Sequence, residues 1–451
     1  RGELTRHYLV VPTLVTFTAA VIGNILGYTA MKNVVMNMYY HSYSLPPYQT
    51  LWNGDAFILT TVIPCIIITL INLFVIAKAL RLPPLQFLRH DFHMKKKKKA
   101  AKLPNFRFLT RFRLRIILQN IPSYIIMVFG IMFAGLLLFF GLALNPLLSN
   151  YKTEVVNNMI CDYQYVLKAP VETSNDAAEK FCMTTLYELN DEEISAYGIE
   201  NGSEYLSKVN VPKKKNEVVA SQGYLEKYSL KVGDRVTLKD KYGENKYTFK
   251  IVGSYYYPAS LCVFMTNDNF NDVFDKDDGY FTGYFSNEKL KDIDDKYIAT
   301  TITQKDLTTV TDQLDDSMGM SFTLLVGFSV LIYIILMYLL SKLVIEKNEQ
   351  NISMLKILGY SNREASKLYN RATTVVTIGA ILVSVPLIYY VFAGLYHYFM
   401  FEMKGWLPYV VPWYVFVEMA VIGIICYAII YFILQKKINK IKLSQALKSD
   451  D

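Results

Sequence analysis

Six apolar stretches of about 20 residues constrain the fold of this chain more than any other feature of its sequence. They cover residues 9–31, 57–77, 121–144, 322–343, 372–392 and 413–434. A helix of about 20 apolar residues spans the ~30 Å hydrocarbon core of a bilayer. The third stretch, IPSYIIMVFGIMFAGLLLFFGLAL, contains no charged residue, and 52% of the 451 residues are hydrophobic. The sequence therefore predicts a membrane protein with six transmembrane helices.

The distribution of charge predicts how these helices are oriented. Residues 145–317 carry 19 Lys or Arg and 29 Asp or Glu, so this region has a net charge of −10 and the rest of the chain +18. Much of the positive excess lies in residues 81–115, next to two spans. Because basic segments near membrane crossings remain in the cytoplasm, the acidic region and the short loops 32–56 and 393–412 are expected outside the cell.

The basic residues between the second and third spans allow two interpretations. The run KKKKK and the segment FRFLTRFRLRIILQN (106–120) could indicate nucleic-acid binding, but no fold for reading bases accompanies them. Lys and Arg near a membrane surface are attracted to anionic lipid headgroups. The favoured interpretation is a cytoplasmic linker next to membrane lipid, ending in an interfacial helix, with no nucleic-acid partner.

The two ends of the chain resemble each other. With Arg1 placed on Asn362, the matching pairs are Glu3/Glu364, Thr5/Ser366, Arg6/Lys367, Tyr8/Tyr369, Thr16/Thr377 and Ala19/Ala380. The segments after the second and sixth spans, RLPPLQFLRHD and KIKLSQALKSD, also match. The chain therefore contains two related two-span hairpins, the first hairpin (1–79) and the second hairpin (370–434). Duplicated membrane halves commonly pack about a pseudo-twofold axis.

A polar segment that we call the corner (344–369) separates the fourth and fifth spans. Within KLVIEKNEQNISMLKIL it keeps an apolar strip typical of a surface helix, formed by Ile352, Leu355, Ile357 and Leu358. Gly359 can adopt the left-handed conformation that ends a helix. Ser361 with Glu364 is a capping-box pattern, which predicts the start of the next helix. The corner is either a tight cytoplasmic loop without a partner or a docking site for a cytoplasmic protein.

The corner and the tails carry a family resemblance. EKNEQNISMLKILGYSNREASKLY resembles the coupling segment of the FtsX/MacB-like permeases, membrane subunits of the type VII, mechanotransmitting ABC transporters. LPPLQFLR and KLSQALK resemble the tail motif that ends each permease block in that family. A family block has four spans, with an extracellular domain after the first. The resemblance implies that spans three to six form one block, and that the chain is the C-terminal part of a longer two-block permease.

The resemblance also implies site residues and partners. The ATPase-coupling role carries over to Met354, Leu355, Lys356, Ile357, Leu358, Gly359 and Tyr360. No G-x-x-x-x-G-K-[ST] motif occurs in the sequence, so ATP and Mg²⁺ are expected in a separate cytoplasmic ABC ATPase dimer and no cofactor in this chain. No nucleophile and base pattern indicates an enzyme. His41 and His397 occupy similar loop positions, but one ligand per loop is a weak metal signal, so no metal is expected.

The expected fold is an α-helical multi-span membrane protein with an inserted α+β extracellular domain. In the acidic region, apolar and polar residues alternate with the period of a β-strand in NEVVASQGYLEKYSLKVGDRVTL and NKYTFKIVGSYYY. These two segments are expected to form strands and one short helix. The expected organisation is 1–79, the last two spans of a first permease block that is truncated at its N-terminus; 80–120, basic cytoplasmic linker and interfacial helix; 121–144, a span; 145–317, the inserted domain; 318–343, a span; 344–369, the corner with the coupling helix; 370–434, the second hairpin; and 435–451, a basic cytoplasmic tail.

Glycine and cysteine positions give two further expectations. Gly23 and Gly27 form a G-x-x-x-G pattern in the first span, which predicts a close helix–helix contact. Cys161, Cys182 and Cys262 all lie in the inserted domain. An odd number leaves at least one thiol unpaired within the chain, and Cys161 with Cys182 is the expected pair if a disulfide forms.

Two classes of function remain open. The first is a permease subunit in the plasma membrane that transmits ATP-driven motion to its extracellular domain, either to export a peptide, antibiotic or lipoprotein or to activate an extracellular protein partner. Few charges lie in the spans, which does not favour an ion-driven carrier. The alternative is a sensor or scaffold that binds a ligand outside and signals inward without transport.

Overall fold

The computed structural model describes residues 2–42, 45–79, 104, 108–188 and 190–441. The chain divides into two compact units: one of residues 1–135, 316–384 and 420–451, and one of residues 136–315 and 385–419. Among the described residues, six helices are long and apolar enough to cross a membrane, and a separate mixed sheet lies in the middle of the chain. The predicted fold class of a multi-span helical protein with an inserted α+β domain is therefore confirmed. Most of the expected basic linker, and the tail from residue 442, lie outside the described residues.

The first hairpin forms two long helical segments. The first consists of α1 (Gly2–Leu26), a π-helical turn (Gly27–Met31) and α2 (Lys32–Ser42). The second consists of α3 (Gly54–Phe57), another π-helical turn (Ile58–Val62) and α4 (Ile63–Ala79). Asn24 joins the two segments, since its amide nitrogen donates to Thr61 Oγ1 at 2.5 Å.

The helices outside the first hairpin and the inserted domain share one apolar cluster in the first unit. They are α5 (Phe108–Gln119), α6 (Ile121–Asn157), α9 (Gln304–Lys347), α10 (Glu349–Ile357), α11 (Asn362–Glu402) and α12 (Trp413–Asn439). Each of them contributes buried side chains to this cluster, in which Met127, Met337 and Ile430 have 0% exposure. One polar contact inside the cluster joins Tyr124 Oη and Thr373 Oγ1 at 3.3 Å.

Among its described residues, the inserted domain contains nine strands, two short α-helices and one 3-10 helical turn (Asp295–Tyr297). The strands are β1 (Tyr163–Leu167), β2 (Glu179–Tyr187), β3 (Glu193–Ile199), β4 (Glu217–Ser221), β5 (Arg235–Lys239), β6 (Lys246–Tyr255), β7 (Cys262–Thr266), β8 (Gly283–Ser286) and β9 (Ile298–Thr303). The helices are α7 (Gln222–Tyr228) and α8 (Asn267–Val273). The sheet order is β3-β7-β4-β6-β5-β2-β8-β1-β9, and an additional β2–β3 pairing closes six strands into a ring.

Side chains on the two faces of this sheet pack into two separate apolar clusters. Successive residues of β2 point to opposite faces, so Phe181 joins one cluster and Cys182 the other. Only β3–β7 and β4–β6 are parallel among the described strand pairs, and β4 connects to β6 through α7 and β5. The domain is therefore a mixed α+β fold in which α7 directly follows β4.

Candidate functional site

The corner is a short helix held between two longer ones. Helix α9 ends at Lys347, and Asn348 separates it from α10. The buried Asn348 side chain donates to the Val344 carbonyl at 2.7 Å and accepts from the Asn120 amide at 3.4 Å. On α10, Ile352 is fully buried in the apolar cluster of the first unit. The start of α10 is thus fixed by packing on one side and by amide hydrogen bonds.

The end of α10 has the hydrogen bonds of a Schellman motif. Gly359 has φ +93°, a left-handed conformation that an L-residue with a side chain rarely adopts. The Tyr360 N–H donates to the Leu355 carbonyl at 3.2 Å, and the Gly359 N–H to the Lys356 carbonyl at 3.1 Å. These two bonds satisfy carbonyls that have no partner within the helix. Helix α10 consequently ends just before Gly359.

Helix α11 then begins with a capping box. The Ser361 N–H donates to Glu364 Oε2 at 2.9 Å, and the Glu364 N–H donates to Ser361 Oγ at 3.3 Å. The Ser361 hydroxyl also donates to the same carboxylate oxygen at 2.8 Å. Hydrogen bonds from the backbone and hydroxyl of Ser361 lower the pKa of the Glu364 carboxyl below its usual value. The charged carboxylate therefore stabilises the start of α11.

The outer edge of the corner exposes apolar side chains. Leu358 is 70% exposed, Ile357 52% and Met354 51%. Next to this edge lies a groove of about 260 Å³, lined by Phe112, Arg115, Ile116, Gln119, Asn351, Met354, Leu355, Leu358 and Tyr369. A ridge of exposed apolar side chains beside a largely apolar groove is typical of protein-contact surfaces.

Lys356 connects the corner to the end of the last helix. Its ammonium donates to the Ile438 carbonyl at 2.8 Å and to the Ile441 carbonyl at 3.1 Å. These acceptors lie at and just beyond the C-terminal end of α12, where carbonyls lack helical partners and a positive charge is favoured. Partial burial lowers the pKa of Lys356. Sequence reasoning assigned Lys356 only a general coupling role, because its acceptors are 82 or more residues away.

An ion pair joins the same helix ends. Lys437 Nζ of α12 lies 2.5 Å from Glu346 Oε1 of α9, and Lys342 lies 3.7 Å from the same oxygen. The corner, the end of α9 and the end of α12 are therefore linked by polar contacts as well as by packing.

The structure does not place Gly23 and Gly27 at a helix–helix contact. A Cβ added at either position would meet no atom within 4 Å among the described residues. Both glycines instead line an open groove of about 760 Å³ in the first hairpin. The prediction of close packing at these residues is not met in this structure.

The expected disulfide is also absent. Cys161 and Cys182 are free thiols that belong to clusters on opposite faces of the sheet. Cys161 Sγ donates to the Tyr163 carbonyl at 3.2 Å and Cys182 Sγ to the Tyr280 carbonyl at 3.1 Å. Burial raises the pKa of both thiols to about 12. The pairing was wrong because the alternation along β2 directs Cys182 away from Cys161.

Within the described part of the chain, no group of three His, Cys, Asp or Glu side chains could hold a metal ion. The side chain of His41 is outside the described set. The ring of His397 packs edge-on against Trp406, with centroids 5.2 Å apart.

Helices, corner and inserted domain together define a multi-pass membrane protein with an inserted α+β domain. Residues 323–443 match the family described as FtsX-like permease C-terminal. This part of the chain is similar to the C-terminal domain of the FtsX-like permeases, and the predicted similarity to the FtsX/MacB-like permeases is confirmed. The match covers α10, the corner turn and both helices of the second hairpin. A search of curated proteins found no match.

The match supports a general class of function. Similarity to the FtsX-like permeases supports a membrane permease component of an ABC-type system, and the members of that family are non-catalytic membrane subunits. FtsX-like permeases work with a cytoplasmic ABC ATPase.

Proposed function

We propose that this chain transmits ATP-driven motion of a separate cytoplasmic ATPase dimer to the inserted domain, which lies outside the cell. ATP and Mg²⁺ are bound by that dimer and not by this chain. The motion either exports a peptide, antibiotic or lipoprotein or activates an extracellular partner. The acidic charge of residues 145–317 and the basic charge elsewhere support this orientation.

One observation carries the proposal. The corner exposes an apolar edge while its Lys356 ammonium holds the end of α12 and its Ser361 cap begins α11. A protein that contacts the exposed edge can therefore displace the ends of both helices of the second hairpin. Helices are stiff because each residue is hydrogen-bonded along the axis, so displacement at one end is carried along their length. Residues 354–360 are accordingly proposed as the ATPase contact.

The test is co-purification of the full-length protein with its candidate ATPase from detergent. The variant Ile357→Asp with Leu358→Asp places charge on the exposed edge without touching the buried Ile352. Loss of apolar anchors at an interface costs about 2 kcal/mol or more, so ATPase recovery should fall at least about tenfold. Val232→Asp is the matched control, because Val232 is 55% exposed and lies in the inserted domain.

Recovery of the ATPase distinguishes three outcomes. Selective loss in the corner variant, with an unchanged melting temperature, supports the coupling role. Equal ATPase recovery from both variants would contradict a contact at the corner. If no ATPase co-purifies even with the unmodified protein, a sensor or scaffold that binds a ligand outside becomes the better description.

A further inference from the structure

A buried ion pair of the inserted domain contacts the loop between α11 and α12. Lys227, at the end of α7, has 0% side-chain exposure, and Glu192, just before β3, has 7%. Lys227 Nζ lies 2.9 Å from Glu192 Oε2. Burying two charges has a large desolvation cost unless their hydrogen-bonding capacity is used. A buried pair of this kind therefore requires further hydrogen-bond partners.

The loop supplies those partners. The Lys227 ammonium donates to the Met403 carbonyl at 2.6 Å and to the Gly405 carbonyl at 3.0 Å. The Gly405 N–H donates to Glu192 Oε1 at 2.6 Å. All three protons of the ammonium are thus used, and both carboxylate oxygens accept a hydrogen bond. Gly405 has φ +80°, which permits its N–H and carbonyl to reach both members of the pair.

Side chains around the pair extend the same contact. Trp406 Nε1 donates to Glu226 Oε2 of α7 at 2.9 Å. Trp406 also lies against Gly223, where an added Cβ would be 3.2 Å from its Cδ1. The Tyr228 ring packs edge-on against Phe401, with centroids 5.6 Å apart. Polar and aromatic contacts therefore attach the whole length of α7 to residues 401–406.

We propose that Lys227 and Glu192 are positioning residues that keep this loop and α7 attached throughout the working cycle. Displacement of the ends of α11 and α12 then reaches the sheet at two strands, because α7 directly follows β4 and Glu192 directly precedes β3. Strand β7 pairs with both of these strands, so three neighbouring strands receive the displacement. This role rests on the proposed function, in which the second hairpin moves.

A disulfide across the contact tests whether it stays closed. An ideal Cβ at Gly223 lies 3.6 Å from the Trp406 Cβ, within the 3.5–4.5 Å range of disulfides. Gly223→Cys with Trp406→Cys should cross-link in the full-length protein with its ATPase, both without nucleotide and after vanadate trapping. The oxidised protein should retain ATP turnover within about twofold, since a contact that never opens is not hindered by a cross-link. Gly223→Cys alone and Trp406→Cys alone are the controls for the native cysteines, with free thiols detected by a maleimide gel shift.

A second variant pair tests the ion pair itself, with hydrogen exchange as the readout and no added cysteine. Lys227→Met with Glu192→Gln removes both charges, which avoids leaving one charge buried alone. In the unmodified protein, nucleotide should change the exchange rates of β3 and β4. In the double variant ATP turnover should continue. The nucleotide-dependent change in the exchange rates of β3 and β4 should fall about tenfold, because the loop carbonyls lose the Lys227 ammonium as their donor. Lys227→Arg keeps a cationic donor and should preserve the response.

The outcomes separate this inference from the proposed function. A disulfide that forms in only one nucleotide state, or that stops ATP turnover, would overturn the inference, because the loop and α7 would then have to separate. An unchanged exchange response in the double variant would also overturn it. If the unmodified protein neither binds the ATPase nor responds to nucleotide, the proposed function fails and the transmission role with it, while cross-linking at rest would still report the contact.

Discussion

The two hairpins share a sequence pattern but differ in how much of their surface is buried. In the most apolar parts of the first hairpin, 0% and 6% of residues are buried, against 33% in both helices of the second. The matched pair Tyr8 and Tyr369 shows the difference directly, since Tyr8 is 50% exposed and Tyr369 only 4%. A common pattern therefore specifies the same local structure without specifying the same environment.

The difference in burial between the two hairpins lies on one face of their first helices, α1 and α11. At the positions of Ala19 and Gly23 in α1, the second hairpin has Ala380 and Ser384, which are 5% and 2% exposed. In α1 both residues line the open groove of about 760 Å³. The face that α11 buries is thus open in α1 among the described residues. Burial of this face is a property of the neighbouring helices and not of the repeat.

The largest expected effect comes from truncating the matched tyrosines. Tyr369→Ala removes a buried ring that packs edge-on against Phe112, with centroids 6.2 Å apart. Loss of a buried aromatic side chain costs about 3–5 kcal/mol, whereas Tyr8→Ala at an exposed position should cost no more than about 0.5 kcal/mol. Thermal unfolding of both variants in detergent measures the difference.

Equal effects of the two truncations would contradict the difference in burial. If Tyr8→Ala lowers the melting temperature as much as Tyr369→Ala does, the first hairpin is packed as tightly as the second in the purified protein. Tyr369→Phe is the control for Tyr369, since it removes the hydroxyl and keeps the ring. It should retain most of the stability, because the ring supplies most of the apolar contact.

Local signals at the corner could be recognised from the sequence, whereas long-range partners could not. Gly359 and the Ser361–Glu364 pair act within a few residues of themselves, and the structure has the corresponding turn and hydrogen bonds. The acceptors of Lys356 and Lys227 are far away along the chain, at 82 and 176 residues for the Ile438 and Met403 carbonyls. No periodicity or motif encodes such contacts.

A smaller effect is expected from the capping box. Ser361→Ala should lower stability by about 1 kcal/mol at neutral pH, a typical value for loss of an N-cap. Glu3, the residue of α1 that matches Glu364, is also exposed but its side chain makes no hydrogen bond to another described residue, so Glu3→Ala should leave the melting temperature unchanged. Circular dichroism during heating checks both variants.

The loss of stability caused by Ser361→Ala should depend on pH. Hydrogen bonds from Ser361 hold the folded pKa of Glu364 below the ordinary value of 4.5. The stabilisation is therefore complete above pH 4.5 and is lost as the pH falls through the lower, folded pKa. The difference in melting temperature between the unmodified protein and Ser361→Ala should narrow in this acidic range. A difference that widens on acidification would contradict the charge-assisted bond.

The smallest effect concerns two glycines, one in each hairpin. Gly423 of α12 faces Tyr333 and Ile381, and an added Cβ would lie 3.0 Å from Tyr333 Oη and 3.3 Å from Ile381 Cγ2. Gly423→Ala should therefore cost up to about 1 kcal/mol, since crowding exceeds the gain in helix propensity. Gly23→Ala has open space and should raise stability by about 0.5 kcal/mol through propensity alone. Melting temperatures in detergent measure both changes. A loss at Gly23 equal to that at Gly423 would mean that another helix packs closely on the first hairpin, as its G-x-x-x-G pattern predicts.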